Sequence, residues 1–490
     1  MALHKFKRDE LEQIFKNVVN KTLGEVDTKN VFARTVAHSK ITGIAGDVVE
    51  QSILGYPANS NKKPDLLVDG TPTELKSTGI RKPKKKGEFL YEAKEPMSIT
   101  AVSPGNIINE EFNTSHFWSK IEHMLLVYYH YDSPITVKAA DYANFPIKGY
   151  HFHEFSEEEK EILKNDWLIV RDFIQYLKDN YTNAKAEYPR ISSELRKQLM
   201  LIDTAPKWPN PPRFRLKRSA VSTLVQKHFG AQFEELTETY SSFKELDEEL
   251  RKLAVKYKGN TVRELVEKLS IAFDLESGKD ASKSISEQIV VKMFGGTAKK
   301  ISKIDLFSKV GLVPKTIVQT KDGKRTEDTK LFRIDFAEWT DVNIPFEESF
   351  AYNYFSGQQI LGIIFEEPST KAPLLDNKFL GFKRLVFSEE IIENEVKPVW
   401  QRIRDLVNND ELVEVIEVDK FNRPRMNKKT NTVRTSLNFP KSKDYTFFVR
   451  GTGADSTKKT LELNGLNMYS QYFWMRGEVI TEMLRNVEHI

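Results

Sequence analysis

Apolar and polar positions along the chain mark out elements before any chemistry is considered. In GIAGDVVEQSILG (43–55), Val48, Val49 and Ile53 recur at helical spacing and Gly55 ends the run, which predicts a helix. Two short apolar runs then flank Asp69-Gly70, a strong two-residue hairpin signal. That loop sets Val68 opposite Thr71, Leu67 opposite Pro72, Leu66 opposite Thr73 and Asp65 opposite Glu74. Pro72 predicts that its strand lies at an edge or that the turn is longer. MSITAV (97–102) alternates as a strand, Asn113-Thr114-Ser115 caps a helix through FWSKIEHM, and LLVYYHY (125–131) is a buried strand. The order is helix, strand, strand, strand, helix, strand, an α/β domain with a mixed sheet flanked by helices.

The pattern repeats. GYHFHEFSEE (149–158) has a counterpart in GFKRLVFSEE (381–390), and DWLIVRDFI (166–174) in VWQRIRDLV (399–407), with Trp167 and Trp400 in register. RFRLKRSAVSTLV (213–225) is similar to YFWMRGEVITEML (472–484), and the opening stretch has a partner in SKIDLFSKVGLVPKTIVQT (302–320). Four matches in one order predict two tandem copies of one domain, 1–230 and 275–490, joined by an acidic helical connector over 231–274. Asp305 falls on Asp65, but TELK becomes KTIV, so Thr316 and Val318 replace Glu74 and Lys76. The second copy also carries about 26 more residues before its last helix, by comparing 407–473 with 174–214. One active copy and one binding copy is the simplest account.

Composition narrows the class. The chain has 490 residues, 39% hydrophobic and 29% charged, which describes a soluble globular protein. Its apolar runs are too short to span a membrane and its N-terminus has no apolar signal region. The absence of cysteine excludes disulfides and fits a reducing, cytoplasmic interior. The net charge is only +4, so a case for nucleic acid rests on clustering. Between Lys420 and Lys459 eleven Lys/Arg face two acids, Asp444 and Asp455, and KWPNPPRFRLKR (207–218) has five basic residues and no acid. A third run, RKPKKK (81–86), follows the hairpin. Each run alone reads as a solvated loop; three together favour a DNA surface, with Lys217, Arg218, Lys428, Lys429, Arg434 and Arg450 as candidate contacts.

Asp65 and Glu74 facing each other across a ladder repel, and alternation puts Glu74 and Lys76 on the same face. A Mg²⁺ ion held by the two carboxylates, with Lys76 orienting water and the developing anion, resolves the conflict. Asp-x8-Glu-x-Lys after Pro64 is similar to the PD-(D/E)xK nuclease pattern. The sequence has no H-E-x-x-H, P-loop or G-x-S-x-G. By pattern alone Glu50 reads equally as a helix-surface acid and Lys120 as a helix-surface lysine.

GDVVEQSILG, DGTPTELKST, NTSHFWSKIEHMLLVYYH and PPRFRLKRSAVSTLVQKHF together resemble the MutH family of mismatch-repair nicking enzymes and GATC-cutting restriction enzymes. The resemblance implies Glu50, Asp65 and Glu74 as metal-side acids, Lys76 as the catalytic lysine and Lys120 as a phosphate-side lysine. It also implies a C-terminal effector domain that binds a second DNA site. The family's base-reading loop, similar to LRPKAANA, has a poor match in LIDTAPKW (201–208) and a better one in VRGTGADS (449–456), so Arg450 and Lys217 are the recognition candidates. The expectation is a bacterial type II restriction endonuclease acting on double-stranded DNA at GATC or a related site. Its genetic partner would be a cognate DNA methyltransferase, and it would be a monomer in solution and a dimer on DNA. The alternatives are a strand-nicking repair endonuclease and a non-catalytic or methylation-sensing DNA-binding protein.

Overall fold

A computed structural model describes the chain except for residues 1–3, 38–40, 42, 58–62, 84–88, 134–136, 274–279, 324–326, 420, 428–430, 454–458 and 486–490. Lys428 and Lys429 therefore lie outside the described residues.

The chain opens with β1 (His4–Phe6), which pairs in parallel with β2 (Leu66–Val68). Asp69 and Gly70 take φ of 47° and 88°, the backbone that a two-residue primed turn requires. They return the chain as β3 (Thr71–Arg81), with Leu66, Leu67 and Val68 opposite Thr73, Pro72 and Thr71 as the hairpin spacing predicts. Asp65 sits one residue before this ladder. β4 (Glu92–Ala93) and β5 (Met97–Ala101) follow, then β6 (Met124–His130) and β7 (Ile147–His153).

The main sheet runs β1-β2-β3-β6-β7, with β4 also on β3, so β3 is central and not an edge. Pro72 is tolerated because parallel pairing with β6 begins only at Glu74, whose N–H donates to the His123 carbonyl at 2.9 Å. The expected helix through FWSKIEHM is a single turn, His116–Ser119, capped by Ser115, whose Oγ accepts from Trp118 N at 3.0 Å. A second sheet has the order β5-β9-β8, from β8 (Ile202–Asp203) and β9 (Arg213–Leu216).

The second half uses the same pairing scheme. β10 (Leu312–Gln319) runs parallel to β12 (Gln359–Glu366), which pairs antiparallel with β13 (Lys378–Leu385), as β3, β6 and β7 do. Between them lies β11 (Thr329–Arg333). The chain continues through a ribbon of β14 (Glu414–Ile416) and β15 (Thr435–Leu437), then β16 (Phe447–Thr452). A hairpin of β17 (Leu461–Leu463) and β18 (Leu466–Met468) leads to β19 (Ser470–Met475). The antiparallel sheet β11-β19-β16 mirrors β5-β9-β8. Ser349 and Ser388 cap helices where Ser115 and Ser156 do.

Two details depart from the pairing read along the sequence. Residues Asp305–Val310 form a helix ended by Gly311 at φ 71°, so among the described residues β2 has no counterpart strand in the second half and Asp305 does not occupy the place of Asp65. In each sheet a bulge follows the residue opposite a glycine, Tyr128 against Gly149 and Ile364 against Gly381. Matching the bulges carries Glu74 to Val313 and Lys76 to Lys315, three residues earlier than Thr316 and Val318.

The connector is part of the core. Phe243, Leu246, Leu250, Leu253, Val262 and Leu265 are buried in one continuous cluster with Leu126 and Trp167 of the first half and Leu361, Phe379 and Phe382 of the second. A separate cluster lines the far face of each main sheet. Among the described residues no helix is long and apolar enough to cross a membrane.

Candidate active site

The hairpin, the helix before it and the turn before β6 bring five of the sequence candidates to one place. Alternation along β3 buries Leu75 against Val48 and Leu125, leaving Glu74 and Lys76 to the opposite face. Glu74 is only 3% exposed, and both its oxygens are claimed. Oε1 lies 2.8 Å from Lys76 Nζ, and Oε2 lies 2.7 Å from Lys120 Nζ. Lys120, also buried, donates in addition to the Lys63 carbonyl at 2.7 Å, which fastens the segment leading into Pro64-Asp65 onto β3. Lys76 keeps 20% of its side chain exposed, so of the two ammoniums it is the one that meets solvent.

Asp65 Oδ2 accepts from the Leu75 backbone N–H at 3.2 Å, which is how its carboxylate reaches Glu74 from outside the ladder. Burial, then the charge of Glu74, pushes its pKa up to about 6, against the pull of Lys120 and Lys76. Glu50 sits in a π-helical turn, Val49–Ile53, continuing the helix Ile44–Val48. Burial, followed by repulsion from Asp65 and Asp47, raises Glu50 to about 7. Three carboxylates thus share the site with two ammoniums, both spent on Glu74. The compensation expected for facing acids exists in part, supplied by lysines.

Mg²⁺ is bound through one or two carboxylates plus water, and Glu50 and Asp65 are two mutually repelling, half-buried hard-oxygen ligands, so the donor set fits that ion. Among the described residues no three His, Asp or Glu side chains converge closely enough to hold a metal between them, and in this arrangement Glu74 is turned to its lysines.

Tyr56 is a neighbour the sequence pattern did not reveal. Its ring stacks on His4 at 4.0 Å, its backbone N–H donates to the Glu50 carbonyl at 3.1 Å, and its buried hydroxyl has no hydrogen-bond partner among the described residues. Burial and the three acids hold that hydroxyl protonated, a donor among acceptors. A lone aromatic after a helix-ending glycine carries no periodicity that could have marked it.

The basic candidates separate. Lys217 is 5% exposed, donates to the Leu199 carbonyl and stands beside buried Asp166; burial lowers its pKa to about 8. It braces the first half internally and does not reach a groove, because it follows β9 at the cap of the helix Arg218–His228, where its side chain turns into the core. Arg218 is committed to Glu92 (2.6 Å) and the Ala93 carbonyl (2.8 Å), tying β4 to the last helix of the first half. Arg434 is exposed and pairs with Glu417 at 3.2 Å. Arg450 lies in β16 and not in a loop. It is exposed, bonded to Asp328 at 2.8 Å and packed against the rings of Phe448 and Trp474 at 4.9 and 5.0 Å.

The model of the MutH family, described as DNA mismatch repair enzyme MutH, matches residues 54–166. The chain is distantly related to the MutH and restriction-enzyme families, and its α/β fold with mixed sheets is related to the PD-(D/E)xK superfamily. Among curated relatives, the type II restriction enzyme Sau3AI of Staphylococcus aureus is 22% identical over 477 residues, spanning 90% of this chain and 92% of that protein.

Proposed function

We propose that the chain is a type II restriction endonuclease, a Mg²⁺-dependent enzyme that cuts double-stranded DNA at GATC or a related short site. The observation that carries this reading is the cluster of Asp65, Glu74, Lys76 and Lys120 on the segment similar to MutH, with Glu50 just ahead of it. Asp65 and Glu50 would hold a divalent cation, which would supply Lewis acidity at the scissile phosphate and lower the pKa of water. Lys76, the less buried of the two ammoniums, meets the phosphate oxygens and orients the attacking water. Glu74 holds that ammonium in place. Lys120 neutralises Glu74 from the buried side and fixes the backbone that presents Asp65.

In this reading 275–490 is a second copy of the same domain that binds DNA and does not cut it. The repeated β10-β12-β13 pairing supports the duplication, and β10 contains no Asp or Glu to replace Glu74. Asp305 is occupied in an ion-pair cluster with Lys227 and Lys309. Two DNA sites per active complex, a dimer on DNA, a neighbouring methyltransferase gene and a bacterial cytoplasm follow from the same reading. Digestion of unmethylated plasmid with Mg²⁺, with sequencing of the ends, is the test. Defined termini at one short motif are expected, and intact plasmid under all metal conditions refutes the nuclease.

A further inference from the structure

Tyr56 is 4% exposed and packs in the cluster that contains Val49, Leu66 and Leu75. Two attachments fix it, one beside each metal-side acid. Its backbone N–H donates to the Glu50 carbonyl at 3.1 Å, and its ring stacks on His4 at 4.0 Å with 14° between the planes. His4 belongs to β1, and its own N–H donates to the Asp65 carbonyl at 3.4 Å. The phenol is thus held between the helical turn that carries Glu50 and the chain that carries Asp65. A phenylalanine would satisfy all of that packing. The oxygen is what packing leaves unexplained. Buried tyrosine hydroxyls normally find a hydrogen-bond partner, and this one has none among the described residues.

The charges that act on the hydroxyl are those of Glu50 first, then Asp65 and Glu74. Glu74 has both oxygens on lysines, and Asp65 already takes the Leu75 N–H. Glu50 is shaped by burial and neighbouring charge alone, so it is the acid with an oxygen to offer. The second half has lost both groups together. There EQIVVKMFGG (287–296) aligns with DVVEQSILGY (47–56), and each helix runs into a glycine with positive φ, Gly55 at 76° and Gly295 at 78°. Val290 stands where Glu50 does, and Gly296 where Tyr56 does. A Cβ at Gly296 would come within 2.8 Å of the Val291 side chain, so no tyrosine fits. The half read as non-cleaving keeps the helix and its stop but neither the acid nor the phenol.

We propose that Tyr56 is a positioning residue of the candidate metal site, its hydroxyl donating to the Glu50 carboxylate in the cation-bound state, a role that rests on the Mg²⁺ reading of this site and deepens it. A phenol O–H on an ionised carboxylate is a charge-assisted hydrogen bond, stronger than one between neutral groups. It occupies one oxygen of Glu50 and leaves the other for the cation. Donors of this kind orient metal ligands, and their loss weakens metal binding by about ten- to a hundredfold. Without the cation the hydroxyl has nothing to hold, which is how a buried donor comes to stand beside three acids with no partner among the described residues.

Tyr56→Phe in the full-length protein removes the oxygen and keeps the ring. Mg²⁺ affinity is read without DNA, from the rise of the melting temperature with Mg²⁺ concentration. In EDTA the variant should melt at or above the wild-type temperature, because it no longer buries a donor without an acceptor. Its Mg²⁺ dissociation constant should be about tenfold higher. Plasmid cleavage should fall about tenfold at limiting Mg²⁺ and recover as Mg²⁺ is raised, with DNA affinity in EDTA unchanged. An equal Mg²⁺ response in variant and wild type overturns the role of the hydroxyl and leaves the metal reading standing. A variant that melts lower in EDTA gives the hydroxyl a partner within the chain and overturns the role as well. No Mg²⁺ response in the wild type removes the metal reading itself, and the role of Tyr56 with it.

Discussion

Glu50→Gln should stabilise the metal-free protein, and the gain should depend on pH. Folding raises the Glu50 pKa from its ordinary 4.5 to about 7, mainly by burial and then by the charges of Asp65 and Asp47. A raised carboxyl pKa means the unfolded chain ionises first. The stability contribution is fully present below pH 4.5 and is lost as pH rises towards 7; above that the cost of holding the charge is constant. At 1.36 kcal/mol per pH unit the ceiling is about 3 kcal/mol, and partial exposure screens this to about 1–2 kcal/mol. Glutamine keeps the shape and removes the charge. Urea unfolding in EDTA at pH 4.5 should place variant and wild type together. At pH 8 the variant should have the higher midpoint. Adding Mg²⁺ at pH 8 should raise the wild-type midpoint and leave Glu50→Gln nearly unmoved. A variant less stable than wild type at pH 8, or a difference independent of pH, would refute the view that Glu50 is an uncompensated acid.

Asp65→Asn should abolish plasmid cleavage at little cost in stability, because Asp65 has no ammonium of its own, and normal cleavage would remove it from the site. Glu74→Ala should also be inactive but should unfold more readily by about 3 kcal/mol, since it strands the buried Lys120 ammonium; an unchanged urea midpoint contradicts the buried pair. Lys217→Met should alter stability and leave the salt dependence of DNA binding unchanged, whereas Arg450→Ala should reduce that slope by about one unit, as loss of a phosphate contact does. A plasmid with two sites should be cut faster than one with a single site, with a short cognate duplex in trans rescuing the latter, and equal rates would sink the effector role.

Local rules carried much of the fold. The Asp69-Gly70 turn fixed its own register, because two consecutive positive φ values leave a hairpin few alternatives. The Asn113-Thr114-Ser115 cap marked a helix start, and the helix there begins at His116 after Ser115. The pattern failed where neighbours decide. Pro72 reads as an edge signal, yet β3 is central, because whether β6 extends past residue 74 is a tertiary matter. Asp305 matched Asp65 in sequence, but LFSKV at helical spacing before a left-handed Gly311 formed a helix, and the acid turned to Lys309 and Lys227.

For the site, the sequence supplied which residues meet but not how they divide the charge. Facing acids called for a cation, and the two nearest cations are lysines that both chose Glu74. The reason is burial. At 3% exposure Glu74 is the carboxylate least able to rely on water, so it gains most from ion pairing, while Glu50 and Asp65 keep enough solvent to remain partly unpaired. The same logic separates the basic candidates. Lys217 caps the helix that follows β9 and Arg450 lies in β16; one side chain faces the core and the other packs on Trp474 at the surface. Composition cannot see that difference; only the place of a residue in its element, and what packs over that place, turns a basic run into a surface.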